Sequence, residues 1–184
     1  ESKHLKARFD REIRPRIEEA QPNHFSVFAR SGQPLMILLG ALFTDKVPVD
    51  VYQLHREPPG WKWQEGPAPD FILHRPKESV GQPVLALSLS GRITHDRIHA
   101  SVGSNVRIWE ITVPEPHNRL LRTKAQLAAF SDMLSKVFAE IGEMSNGANH
   151  VKIFPAMPVA CAVELGRTRM PKADLSWVIY DQNN

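Results

Sequence analysis

Two stretches of this 184-residue chain align without a gap when the sequence is slid by the 126 positions that carry His24 onto His150: HFSVFARSGQPLMILLG at 24–40 and HVKIFPAMPVACAVELG at 150–166. Phe28 then falls on Phe154, Leu39 on Leu165 and Gly40 on Gly166, and beyond the aligned block Lys46 falls on Lys172. Between the identities, Phe25 meets Val151, Val27 meets Ile153 and Ile37 meets Val163. Each copy reads as a strand, a tight loop and an apolar helix, preceded by an amphipathic helix pattern and followed by a strand bearing Tyr52 or Tyr180. Such a repeat narrows the possible folds sharply, because two β-loop-α units can pack about a pseudo-twofold axis. Their loops, residues 29–34 and 155–158, then face one cleft beyond the carboxyl ends of the strands, where open α/β sheets hold ligands. A cleft built from two related loops suits a ligand that is itself two-fold or cyclic, such as a cyclic nucleotide with several phosphates.

The remaining segments fill in an α/β pattern. Residues 3–20 carry Leu5, Phe9, Ile13 and Ile17 at helical spacing, with Pro15 predicting a break. Residues 24–30 and 47–55 read as strands, and Pro34 suits the first turn of a helix over 35–43. Residues 56–83 are irregular and rich in proline, with a short strand at 71–73. The apolar run 84–89 fits a strand buried on both faces, and 106–113 is the next strand. Thr123 and Gln126 form a capping box opening a helix whose stripe is Leu127, Phe130, Leu134, Val137, Phe138 and Ile141. After the Asn146-Gly147 turn come a strand at 151–154, a helix at 159–166 and a last strand at 177–180, ahead of a polar terminus. Strands alternating with helices predict largely parallel sheets. The expected organisation is one unit over 1–184, with halves 1–60 and 84–184 and a connector at 61–83.

A hydrophobic content of 42% and a charged content of 23% describe an ordinary globular chain. The net charge of +3 suits a small anionic ligand and is too small by itself to argue for a nucleic-acid groove. The single cysteine, Cys161, sits among apolar neighbours, which reads as a packed thiol in a reducing compartment. No signal peptide or membrane-length apolar run is present, so a cytoplasmic location and no membrane partner are expected. The chain opens at Glu1 on a charged helix pattern, as a piece of a longer protein would.

The candidate ligand-binding residues lie at strand ends. Phe154, Pro155, Ala156, Met157 and Pro158 form one wall, and Phe28, Arg30, Ser31 and Gly32 form the matching one. Arg30 suits a bidentate phosphate contact, and is equally readable as a solvated loop arginine. Ser88, Ser90, Gly91 and Arg92 end the buried strand with hydroxyls and backbone N–H groups that suit a phosphate, or an ordinary turn. Trp61, Trp63 and Trp109 offer rings for base stacking, with Trp109 also readable as core and Trp61 favoured for exposure. Arg167 and Arg169 follow a helix end, where cations are favoured anyway. His95, Asp96 and His99 have zinc-like spacing without a third ligand, so no metal is expected. The chain has no GxGxxG, P-loop or GxSxG motif, and no catalytic residue is assigned.

The run FPAMPVACAVELGRTRMPKADLSWVIYDQN at 154–183 resembles the C-terminal signature of SAVED domains, and VPVDVYQLHR at 47–56 and the strand at 85–91 fit the same pattern. The resemblance spans essentially the whole chain. It implies two fused CARF-like, Rossmann-type subdomains and a bacterial sensor of the CBASS anti-phage system. Such a sensor binds a cyclic oligonucleotide messenger, a cyclic dinucleotide such as cGAMP or a cyclic trinucleotide. It then self-associates and switches on a fused effector. GWKWQEG at 60–66 is similar to the type fused to an HNH endonuclease, which would meet DNA through a separate N-terminal domain. This chain would then bind without catalysis and need no cofactor. Two alternatives stay open at this point: a CARF-like ring nuclease that degrades the messenger, and a partner-binding Rossmann-like domain with no nucleotide.

Overall fold

A computed structural model describes residues 1–19, 24–45, 47–67, 70–145, 147–170 and 174–181. Lys46, Lys172 and Asn146, singled out in the sequence, lie outside these. The N-terminal helical pattern is two helices, α1 (Ser2–Glu12) and α2 (Arg14–Glu19), broken next to Pro15 as expected. Strand β1 (Phe25–Phe28), helix α3 (Gln33–Phe43) and strand β2 (Val49–Tyr52) follow, with β1 and β2 paired in parallel. Strands β3 (His55–Arg56) and β4 (Pro59–Gly60) make a minimal antiparallel pair. The rest is β5 (Ile72–His74), β6 (Gln82–Ser88), α4 (His95–Val102), β7 (Val106–Thr112), α5 (Lys124–Glu143), β8 (His150–Ala156), α6 (Val159–Arg167) and β9 (Ser176–Ile179).

The larger sheet has the order β5-β7-β6-β8-β9. All its pairs are parallel except β5 with β7, and β5 lies within the segment read as a connector. Its core explains the apolar run of β6. Leu85, Leu87 and Leu89 join the cluster containing the buried stripe of α5 and most of α6. Val84 and Ala86 join a second cluster with Ile93 and Ile98, the latter on α4. A central strand covered on both faces has no polar side to present, so its sequence does not alternate. Helices α1 and α2 cover the smaller sheet through Phe9, Ile13 and Ile17, which pack with Val27, Phe43 and Val47; the Phe9 and Phe43 rings meet edge to face at 5.0 Å.

The capping box that opens α5 is complete: Gln126 N donates to Thr123 Oγ1 at 3.0 Å and Thr123 N donates to Gln126 Oε1 at 3.1 Å. The other end of α5 is closed by Arg107, a fully buried arginine. Its guanidinium donates to the carbonyls of Met144, Ser145 and Gly81, so its charge sits against the negative end of the helix.

The two copies of the repeat meet through α3 and α6. A Cβ on Gly40 would stand 1.9 Å from the Val163 carbonyl oxygen, and one on Gly166 would stand 1.9 Å from the Ile37 oxygen. Ile37 and Val163 are themselves repeat equivalents, so the contact is reciprocal. Each glycine lets the other helix's backbone come close. The aromatic pairs match as well. Phe28 stacks on Tyr52 at 4.5 Å and 10°, and Phe154 stacks on Tyr180 at 4.6 Å and 11°.

Candidate functional site

The carboxyl ends of strands from both sheets converge on one open cleft of about 530 Å³. Arg30 and Gln33 come from the loop and helix start after β1, and Gln53 and Leu54 follow β2. Ser90 follows β6, and Met157, Pro158 and Val159 follow β8. His55, Arg56, Pro59 and Asn118 complete the wall.

Hydrogen bonds between segments far apart in sequence shape this cleft. Gln33 Nε2 donates to the Met157 carbonyl at 2.5 Å. Ala160 N, in the first turn of α6, donates to Gln53 Oε1 at 3.1 Å, so a side chain that follows β2 caps α6. Leu89 N and Ser90 N donate to the Ala156 oxygen at 2.8 and 2.6 Å, which ties the loop after β6 to the end of β8. Helix α3 begins at Gly32 without a side-chain cap. Its equivalent, α6, begins at Pro158. Both positive helix ends therefore border the same space.

The charge of the cleft is one-sided. The Arg30 and Arg56 side chains are exposed and make no ion pair or hydrogen bond among the described residues, and no carboxylate is in the lining. The neighbouring hollows each include an acid: Asp181 beside Arg97, Glu110 beside Arg92, Asp50 and Glu164 beside Lys124, and Glu57, held by Arg119, in a hollow that shares Gln53, Leu54, His55, Arg56 and Asn118 with the cleft. Two unpaired guanidinium groups, two helix N-termini, amides and a hydroxyl form an anion-accepting surface. His55 stays neutral at pH 7, because burial and then the nearby Arg122 charge push its pKa down.

The sequence-predicted residues separate into three places. Arg30, Ser90, Met157 and Pro158 line the cleft, with Ser31, Gly32 and Gly91 in the loops beside it. Phe154 and Pro155 do not line it: they border a separate hollow of about 250 Å³ with Ile93, Arg97, Ser101, Tyr180 and Asp181. Arg92 borders a third hollow with His74 and Glu110, and its Nη2 donates to the Pro114 oxygen at 3.3 Å. Ala156 is buried and contributes its carbonyl to the loop tie.

Trp109 leaves the stacking set. It is wholly buried, and its Nε1 donates to Glu140 at 2.8 Å, so no base can reach the ring. Ser88 leaves the phosphate set, because its buried hydroxyl donates to Glu110 at 2.5 Å and accepts from Ile93 N. Arg167 is also occupied, holding the Val47 carbonyl through two nitrogens at 3.3 Å. Phe28 is 55% exposed, with Trp61 set edge-on at 5.4 Å, and Trp63 packs between Tyr52 and His55.

Gln33, Gln53, His55, Arg56 and Asn118 were not singled out from the sequence. A signal existed for Gln33, which falls on Val159 at the start of the equivalent helix. Gln53 lies just past β2, His55 and Arg56 form the two-residue β3, and Asn118 lies in a long loop, where no periodicity marks them. His95 and His99 stand one turn apart on α4 with ring centroids 6.3 Å apart, and no group of three or more His, Cys, Asp or Glu that could hold a metal is found among the described residues. No helix among the described residues is long and apolar enough to cross a membrane.

Comparison with solved structures returns the Acinetobacter baumannii Cap4 SAVED/CARF-domain containing receptor. With the cyclic trinucleotide 2′3′3′-cAAA, that receptor matches at a TM-score of 0.65 and 16% identity over 96% of this chain and 39% of the other. With 3′3′3′-cAAA, it matches at 0.55 and 14% over 86% and 36%. A third structure of the receptor matches at 0.55 and 12% over 86% and 33%. The chain thus shares their fold and spans about two fifths of their length or less. Comparison with curated proteins finds no match. Residues 5–184 match the family model for SAVED, the SMODS-associated and fused to various effectors sensor domain, and the chain belongs to that family.

Proposed function

We propose that this protein binds a cyclic oligonucleotide in the cleft between its two repeat halves and does not break it. The observation that carries the reading is the cleft's charge: Arg30 and Arg56 stand unpaired beside the starts of α3 and α6, with no acid in the wall. That arrangement suits several phosphates held at once. Membership of a sensor family supports it, as does a fold shared with a receptor that binds cyclic trinucleotides. The reciprocal Gly40 and Gly166 contact supports reading the two halves, 1–60 and 84–184, as related by a pseudo-twofold. Phe28, exposed two residues before Arg30, and Trp61, set edge-on against it, supply aromatic surface for a base of the ring.

Binding orders the cleft and favours one quaternary arrangement, shifting that equilibrium only by its difference in affinity for the two states. In the longer protein this self-association switches on a fused effector, an endonuclease, in bacterial anti-phage defence in the cytoplasm. The ring is a cyclic trinucleotide or a cyclic dinucleotide such as cGAMP. Calorimetric titration with a panel of cyclic di- and trinucleotides tests the proposal. A micromolar or tighter Kd for at least one ring, with the ring recovered intact, is the expected result. No binding at micromolar ligand, or linear product, overturns it.

A further inference from the structure

His55 is 8% exposed, and its Nε2 is shut off from solvent with no hydrogen-bond partner. Neither ring nitrogen has a partner among the described residues. Buried polar groups are nearly always hydrogen-bonded, so an unbonded imidazole is a standing cost to the fold. Packing does not account for it. The ring meets Trp63 edge-on at 5.9 Å and 70°, a contact that a phenylalanine would make equally well. The residue lies in the wall that the cleft shares with the adjoining hollow of Glu57 and Arg122, between Leu54 and Arg56 and with Asn118 in the same wall.

We propose that His55 is a specificity-determining residue that hydrogen-bonds a nucleobase edge of the bound ring; this rests on the reading of the cleft given above. The chemistry divides the work. Arg30 and Arg56 are permanent cations suited to phosphates. His55 is neutral at pH 7, held so by burial and by Arg122; with Nε2 shut off from solvent, Nδ1 is the ring nitrogen it offers the cleft, as donor or acceptor according to the tautomer. That is the equipment for an uncharged base edge, and the hydrogen bond exists for one base and not for its analogue. Asn118 adds a side-chain amide of the kind that pairs with adenine.

The test measures the affinity of the whole chain for 3′3′3′-cAAA, for its guanine counterpart and for the ring carrying hypoxanthine in place of adenine, alongside His55→Phe and His55→Gln. The unsubstituted protein is expected to separate the rings by about tenfold or more. His55→Phe is expected to compress that ratio to about twofold with an unchanged or raised Tm, since an unbonded polar ring has been replaced by an apolar one. His55→Gln keeps a donor and an acceptor and retains most of the discrimination, which also covers the case of a misfolded phenylalanine variant. A phenylalanine variant that folds and discriminates like the unsubstituted protein overturns the role of His55 alone, as does an unsubstituted protein that binds all the rings equally. No binding of any ring by the unsubstituted protein overturns the cleft reading and this inference together.

Discussion

Replacing Gly40 by alanine tests the contact that joins the two repeat copies. The new Cβ would lie 1.9 Å from the Val163 oxygen and 2.8 Å from its carbonyl carbon. Both atoms are backbone, so no side chain can swing aside. Ordinary contact begins near 3.4 Å, and α3 and α6 must therefore part by about 1.5 Å. A gap of ~0.5–1 Å already forfeits a quarter to a half of each contact's dispersion energy. Overpacking costs ~1–3 kcal/mol, and this site belongs at the top of that range. The better helix propensity of alanine returns up to ~1 kcal/mol. The net expectation is a loss of about 2 kcal/mol, or ~4–8 °C in Tm for a chain of this length. Gly166→Ala should behave alike, because its Cβ would meet the Ile37 oxygen at the same distance. The double variant should cost less than the two single losses added, since one separation relieves both clashes. Gly142→Ala is the control: it sits in α5 with nothing within 4 Å, and it should gain up to ~1 kcal/mol. Urea and thermal unfolding measure all four variants. A Gly40→Ala protein as stable as the unsubstituted one, or strict additivity in the double variant, would show that the two helix backbones do not meet at this contact.

Arg30→Ala and Arg56→Ala remove exposed, unpaired cations, so Tm should hold while calorimetry shows messenger affinity falling ~10- to 100-fold for each, by the ~1.5–3 kcal/mol of a charge-assisted hydrogen bond. His55 makes stability pH-dependent with a defined sign. Its folded pKa lies below its ordinary 6.5, so the unfolded chain binds more protons as the pH falls through that value. Stability should therefore decline on acidification below about pH 6.5 and level off below the folded pKa, and denaturation of His55→Phe should show this component removed. Burial, and then the charge of Glu164, raise the pKa of Cys161, so mass spectrometry should find no alkylation by iodoacetamide at pH 8 until denaturant unfolds the chain.

The α/β class, both repeat units, the capping box and the stripe of α5 were legible in the sequence, because each rests on local periodicity or on a residue type with one geometric use. Helix α4 was not legible. It is eight residues long with Ile98 as its one buried side chain, too little for a helical stripe to show. Its cap is Thr94, whose hydroxyl accepts from Arg97 N at 3.4 Å.

The site was half legible for a related reason. The repeat places Arg30 and Met157 on matching loops, but it treats Phe28 and Phe154 as equals when only Phe28 is exposed. Helix α4 and Ile93 help cover the sheet face that carries Phe154. Strand β1 has Phe28 open to solvent. Trp109 was ambiguous because a strand buried on both faces has no alternation to say which way a ring points; its partner, Glu140, lies 31 positions further along the chain. His55 and Asn118 reach the cleft through tertiary packing alone, which leaves no pattern in the letters.

Hydrogen–deuterium exchange with and without the tightest-binding ring tests the shared cleft most directly. Added protection is expected in both repeat copies at once, at residues 29–35 and at 156–160, together with the loop at 89–91. Protection confined to one copy, or centred on the separate hollow of Phe154, Arg97 and Tyr180, would contradict it.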